Sequence, residues 1–196
     1  MPTTPHDTRL TYDDFLLLPD DGFRHEIIDG EHYVTPSPNL RHQDLVLRLG
    51  MSIGSHVEDR PDRGRVFIAP FDVVFSFHDI VEPDVIFVAP DQLDILTDKN
   101  IQGTPAMVVE ILSPSTRQRD RQIKRTLYER SGVREYWLVD PDLDVVTVHR
   151  RSASGAFPVD ASLSVEGSDT LATPLLPGWS LTLERLFRCS DKPIHF

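Results

Sequence analysis

Two short segments each set one carboxylate within residues that favour a buried strand. The first is Glu82-Pro83-Asp84-Val85-Ile86-Phe87-Val88, and the second is Met107-Val108-Val109-Glu110-Ile111-Leu112. A carboxylate removed from water is costly unless a cation or strong donors meet it. Two such acids on neighbouring strands would most simply share a hard divalent metal, because hard cations select carboxylate oxygen. Lys124 follows, on what reads as the next helix. Acid, acid and lysine around one metal suit the hydrolysis of a phosphodiester, with the lysine orienting water or offsetting charge that develops on phosphate.

Each residue also has a purely structural reading. Pro83 lacks an N–H and belongs at a strand start or edge, so Asp84 could cap a turn there. Glu110, between Val109 and Ile111, could pair with a buried arginine. Lys124 stands four residues after Asp120, a spacing typical of an exposed helical ion pair worth about 0.3–0.5 kcal/mol. Ile123 and Leu127 are expected to mark the core-facing side of that helix, with Lys124 at its boundary. Glu26, in His25-Glu26-Ile27-Ile28-Asp29, is a candidate third acid or an ordinary hairpin charge. The pair His25-Glu26 does not open a zinc-protease helix, since position 29 is Asp. His42, on an apolar helix face, reads as a satisfied core histidine, and the direction of Asp72 is open.

Other chemistries lack their residues. The chain has no Gly-rich phosphate loop, no G-x-S-x-G elbow and no cysteine beside a credible base. Ser113-Pro114-Ser115 reads as a strand exit and helix cap.

The charge balance narrows the partners. With 20 basic and 31 acidic residues the net charge is −11, which argues against non-specific coating of nucleic acid. A local basic run survives in residues 117–125, either a phosphate track or a solvated helix face. Hydrophobic residues make up 39% of the 196-residue chain, enough for a globular core. No apolar run approaches the ~18 residues of a membrane helix, and a single cysteine, Cys189, excludes an intramolecular disulfide. These features lead us to expect a cytoplasmic protein that does not enter a membrane.

The elements that would position the acids follow from pattern. Thr11 caps a short helix through Leu18, with Asp14 as its box partner. Residues 24–34 form a hairpin around Asp29-Gly30, and 40–57 a helix with His42, Leu45, Val46, Leu49, Ile53 and Val57 on one face. Strands are expected over 65–69 and 71–77, then around Asp84 and Glu110, with an irregular loop over 89–104 between these two. A helix over 116–131 stops at Gly132, strands follow over 134–139 and 144–149, and short edge strands and a closing helix over 181–187 complete one domain. A flexible tail is expected over 1–10, the domain over 11–187 and a second tail over 188–196. The expected class is α/β, a mixed β-sheet flanked by α-helices.

Assembled, the motifs resemble the Uma family of putative restriction endonucleases within the PD-(D/E)XK nuclease superfamily. The likeness rests on residues 25–31 (His-Glu-Ile-Ile-Asp-Gly-Glu), 82–85 (Glu-Pro-Asp-Val) and 108–116 (Val-Val-Glu-Ile-Leu-Ser-Pro-Ser-Thr). It continues through Asp120, Lys124, Tyr128 and the run Gly132 to Pro141. The resemblance implies a restriction-endonuclease-like fold and a Mg²⁺-dependent site, with Mn²⁺ as substitute, that hydrolyses DNA. Asp84 and Glu110 match its metal-binding acids, and Glu26 supplies an additional one. The superfamily lysine two residues after the second acid is replaced by Leu112, and the resemblance suggests that Lys124 takes the role. Nucleases of this kind often pair so that two sites reach two strands, which suggests a homodimer. Two alternatives accompany this reading: a catalytically silent nuclease-fold module that binds nucleic acid or protein, and a hydrolase of a smaller phosphorylated substrate.

Overall fold

The computed structural model describes residues 9–58 and 60–188. The tail expected over 1–10 lies outside them as far as residue 8, as do Cys189 and the C-terminal tail beyond Arg188. Leu10, the last residue of the expected N-terminal tail, donates its N–H to the carbonyl of Gly30 at 2.9 Å.

Helix α1 (Tyr12–Phe15) carries the expected capping box, Asp14 accepting from the Thr11 N–H at 2.8 Å. It ends three residues before Leu18, leaving Leu16 and Leu17 exposed. Strands β1 (Arg24–Ile28) and β2 (Glu31–Thr35) form the hairpin. Asp29 and Gly30 take φ of 54° and 79°, the two positive values that a tight hairpin turn demands. Helix α2 (Leu40–Val57) starts at Asn39, whose side chain accepts from the His42 N–H, and buries Leu45, Leu49 and Ile53.

Strands β3 (Arg65–Ile68), β4 (Val73–Ser76), β5 (Asp79–Val81) and β6 (Val85–Val88) follow. The segment expected to be irregular holds a 3₁₀ turn, Pro90–Ile95, and a two-residue strand β7 (Ile101–Gln102). After β8 (Met107–Ile111), the expected continuous helix is three pieces: α3 (Arg117–Arg119), a π-helical turn (Asp120–Lys124) and α4 (Arg125–Ser131). Gly132, at φ 89°, ends it. Strands β9 (Glu135–Asp140), β10 (Val145–Arg150), β11 (Val159–Ser164), β12 (Thr170–Ala172) and β13 (Ser180–Thr182) lead into α5 (Leu183–Phe187).

The strands divide into more than one sheet. One runs β11-β10-β9-β8-β6-β3 and another β2-β1-β5-β4-β7, with β12 and β13 paired apart. Each larger sheet is mixed, through the parallel pairs β8–β9 and β4–β7. The β8–β9 pair is joined by the 117–131 helical segment, the crossover expected from the sequence.

The central strands of the longer sheet, β6, β8 and β9, are buried on both faces, and residue parity sorts their side chains. Val85, Phe87, Met107, Val109, Trp137 and Val139 join α2 and α5 in one core. Ile86, Val88, Val108, Tyr136 and Leu138 join Ile28, Val81, Leu127 and Tyr128 in the other, against the shorter sheet and α4. Asp84 and Glu110 share the parity of this second set. They stand where a carboxylate must find partners inside the protein.

Candidate active site

Strands β6 and β8 pair antiparallel with Val85 opposite Val109, so Asp84 and Glu110 stand one residue further along, across from each other. Both are buried, each at 2% exposure, and both line one pocket of about 160 Å³ that is partly open to solvent. The cavity lies between the loop joining β2 to α2 and the segment Ser113 to Thr116. Lys124, Arg119 and Asp120 line it from the helical side, and Arg24 and His42 from the other.

Asp84 is the more tightly held acid. One oxygen accepts from Arg24 Nη1 at 3.0 Å, and the other from the Ile111 N–H at 2.8 Å, with His42 Nε2 3.1 Å away. Burial alone pushes its pKa up, but the His42 hydrogen bond and Arg24 outweigh that and hold the carboxyl below its ordinary range.

Glu110 has the opposite balance. Its Oε1 accepts from Lys124 Nζ at 2.8 Å and from the Tyr128 hydroxyl at 2.6 Å. Burial raises its pKa, Lys124 opposes this, and the neighbouring Asp120, Asp84 and Glu26 carboxylates add to the rise, so the group is pushed up to about 8.

Lys124 is not the exposed ion-pair lysine that its spacing allows. At 1% exposure its ammonium lies 2.6 Å from Glu26 Oε1 and 2.8 Å from Glu110 Oε1. Glu26, fully buried on β1, also accepts from the Glu82 N–H at 3.0 Å and faces Arg119 at 3.5 Å. Burial is outweighed by Lys124 and Arg119, which hold Glu26 below the usual carboxylate range. Glu26, Glu110 and Lys124 are thus joined directly, while Asp84 meets them across the cavity.

A family model described as "Uma2: Putative restriction endonuclease" matches residues 12–184. The chain belongs to the Uma2 family. A crystal structure from Anabaena variabilis ATCC 29413, described as a putative nuclease belonging to DUF820, is 23% identical. It covers 91% of this chain and 97% of its own, with a TM-score of 0.75. That likeness concerns the fold, which is the restriction-endonuclease-like α/β arrangement expected from the sequence. No curated protein matches the Uma2 chain.

The donors of the Uma2 site can be weighed against Mg²⁺. All the acids at the cavity are hard oxygen donors, and Mg²⁺ commonly takes one or two carboxylates and completes its shell with water and phosphate. Buried oxygens of Glu26 and Asp120 lack hydrogen-bond partners. Asp84, Glu110 and Asp120 line the cavity beside Arg24, Arg119 and Lys124, whereas Glu26, the expected additional acid, is not part of its lining. Among the described residues no three His, Cys, Asp or Glu side chains form a ready metal cage. A two-carboxylate site centred on Asp84 and Glu110 fits the residues present.

Several site residues were not legible as such. Arg24 and Tyr128 hold the two acids, yet neither stands near its partner in sequence. His42, read as a core histidine, is buried but lines the cavity, and its Nδ1 has no partner. Its position in the first turn of α2, beside a proline-rich loop, was the available signal. Ile123, expected to face the core, is 36% exposed. The π turn takes one residue more than an α turn and brings Lys124 inward in its place.

The basic run is also reassigned. Arg117 and Arg121 bind Asp140, Arg119 binds Thr35 and Arg125 bonds the Phe157 carbonyl. These cations brace the fold, and Arg119 also lines the cavity.

Proposed function

We propose that this Uma2 chain is a metal-dependent endonuclease that hydrolyses DNA phosphodiester bonds, using Mg²⁺ or Mn²⁺. The carrying observation is that Asp84 and Glu110 line one pocket from adjacent strands with a buried lysine 2.8 Å from the second acid. It resembles the acid, acid and lysine set of the PD-(D/E)XK superfamily, with Lys124 standing in for the lysine that Leu112 replaces. Asp84 and Glu110 are the residues that would hold the ion. Bound there, it would neutralise charge on phosphate and acidify a coordinated water.

Lys124 is preset by its two carboxylates to donate to the attacking water or to a phosphate oxygen. Glu26 serves this centre by fixing Lys124 and by adding negative charge behind it. Arg24, His42 and the Ile111 N–H hold Asp84 in one orientation, so little reorganisation is left for the chemical step.

The proton on Glu110 gives the reading a pH signature. A metal must displace that proton below about pH 8, so Mn²⁺ affinity is expected to rise as pH increases to about 8 and then level. The slope approaches about tenfold per pH unit if one proton leaves. The same linkage acts on the metal-free fold. Glu110 binds its proton more tightly folded than at its ordinary value of 4.5, so its stabilising contribution is present below that pH and declines as pH climbs to about 8.

Calorimetric titration with Mn²⁺ at pH 6, 7 and 8, beside cleavage assays on plasmid DNA, a single-stranded oligonucleotide and a small phosphodiester, tests the assignment. Glu110→Gln should flatten the pH dependence. Metal binding that ignores pH, or cleavage confined to the small ester, would overturn it.

One observation favours a second reading, the catalytically silent module: both Asp84 oxygens already have protein partners. Absence of Mn²⁺ binding together with retained DNA affinity would select that alternative.

A further inference from the structure

A second cavity, of about 390 Å³, adjoins the first. The two share Arg24, Thr35, Pro36, Pro38, His42 and Asp84 in their walls, so Asp84 stands where they meet. On its far side the second cavity is lined by Phe23, Gln43, Pro70, Asp20 and Glu82. Its volume falls in the range of pockets that take a small organic molecule.

The composition of that wall restricts the occupant. Asp20 and Glu82 would repel a phosphate, while their oxygens suit amino and imino donors. Gln43 both donates and accepts. Phe23 is 51% exposed, with its backbone N–H fixed by the Asp21 carboxylate at 3.0 Å. An aromatic ring presented to solvent beside donors and acceptors is the equipment that stacks and reads a nucleobase.

The phosphate side is equally restrictive. The acids lie buried beneath two proline-bearing segments, Thr35 to Asn39 and Ser113 to Thr116. The first is tied to Arg119 through Thr35, and within the second the Ser113 hydroxyl shares hydrogen bonds with those of Ser115 and Thr116. The arginines of the 117–131 segment are committed to acids, carbonyls and a hydroxyl of the chain itself. Asp140, Asp142, Asp29 and Asp79 offset much of their charge, which weakens any surface on which a duplex backbone could be laid over the buried acids.

We propose that the cavity containing Phe23 is a subsite for one unpaired nucleobase, so that the strand entering the site is single-stranded. The base next to the scissile phosphate stacks on Phe23, and the phosphate itself lies over Asp84, Glu110 and Lys124. This rests on the nuclease reading above and adds the form of the DNA.

The test compares a fluorescein-labelled single-stranded oligonucleotide with the same sequence as a blunt duplex, using the full chain with Mn²⁺. Cleavage and fluorescence anisotropy are read for the unaltered protein, Phe23→Ala and Phe23→Trp. Expected are cleavage of the single strand in preference to the duplex, and single-strand affinity lowered about tenfold or more in Phe23→Ala. Phe23→Trp should restore affinity, and Mn²⁺ binding should be unchanged in both variants because Phe23 touches neither metal-binding acid. Equal cleavage of the duplex, or unaltered affinity in Phe23→Ala, would overturn the subsite and leave the nuclease standing. Absence of metal-dependent cleavage on every DNA would overturn the nuclease reading and the subsite with it.

Discussion

Lys124→Met should destabilise the protein by about 3–5 kcal/mol, the typical cost of removing one partner from a buried ion pair. For a chain of this size that corresponds to a fall in Tm of about 6–20 °C. The reason is that two carboxyl groups converge on one ammonium, Glu26 at 2.6 Å and Glu110 at 2.8 Å, in a side chain only 1% exposed. The two acids respond differently. Glu110, pushed up to about 8, already holds its proton at neutral pH, whereas Glu26 is kept ionised by Lys124 and Arg119. Adding Glu26→Gln to Lys124→Met should therefore recover a substantial part of the loss. Urea unfolding of the single and double variants measures this coupling directly. A loss below about 1 kcal/mol in Lys124→Met would mean that the lysine is hydrated and the buried network is not the one described.

Asp84→Asn should lower metal-dependent DNA cleavage at least about a hundredfold while leaving the fold in place. Altering groups that only orient metal ligands already costs roughly 10- to 100-fold, and the ligand itself should cost no less. The amide retains one oxygen that can accept from the Ile111 N–H, so the junction of β6 and β8 keeps its tie. What is lost is the charge that pairs with Arg24 and would meet the ion. Circular dichroism should match the unaltered protein, and the Mn²⁺ titration should lose its heat. Cleavage that persists in Asp84→Asn would move the metal away from this acid.

Local pattern carried much of this architecture. The Asp29-Gly30 turn, the apolar stripe of α2 and the strands bearing Glu110 and Trp137 announce themselves within a few residues. The strands β5 and β7 do not, because at three and two residues they are defined by their partners more than by their own alternation. Division into separate sheets was invisible for the same reason. At the site, type and burial pointed to Asp84 and Glu110, but their counter-charges could not be read from spacing. Arg24 reaches Asp84 across 60 residues of sequence, and Tyr128 reaches Glu110 across 18. The inward turn of Lys124 depends on a change of helical type that side-chain periodicity assumes away.

That change of type also sets the angular phase between the two ends of the 117–131 segment. Excising Ile123, the half-exposed residue of the π turn, would let the segment settle into continuous α-helix. Everything before the excision would then swing by about 100° relative to Leu127 and Tyr128. Arg117 and Arg119 would be carried away from Asp140 and Thr35, although the amount of helix would scarcely change. The cavity thus owes its helical wall to one surplus residue, and its geometry is recorded in the chain as a count.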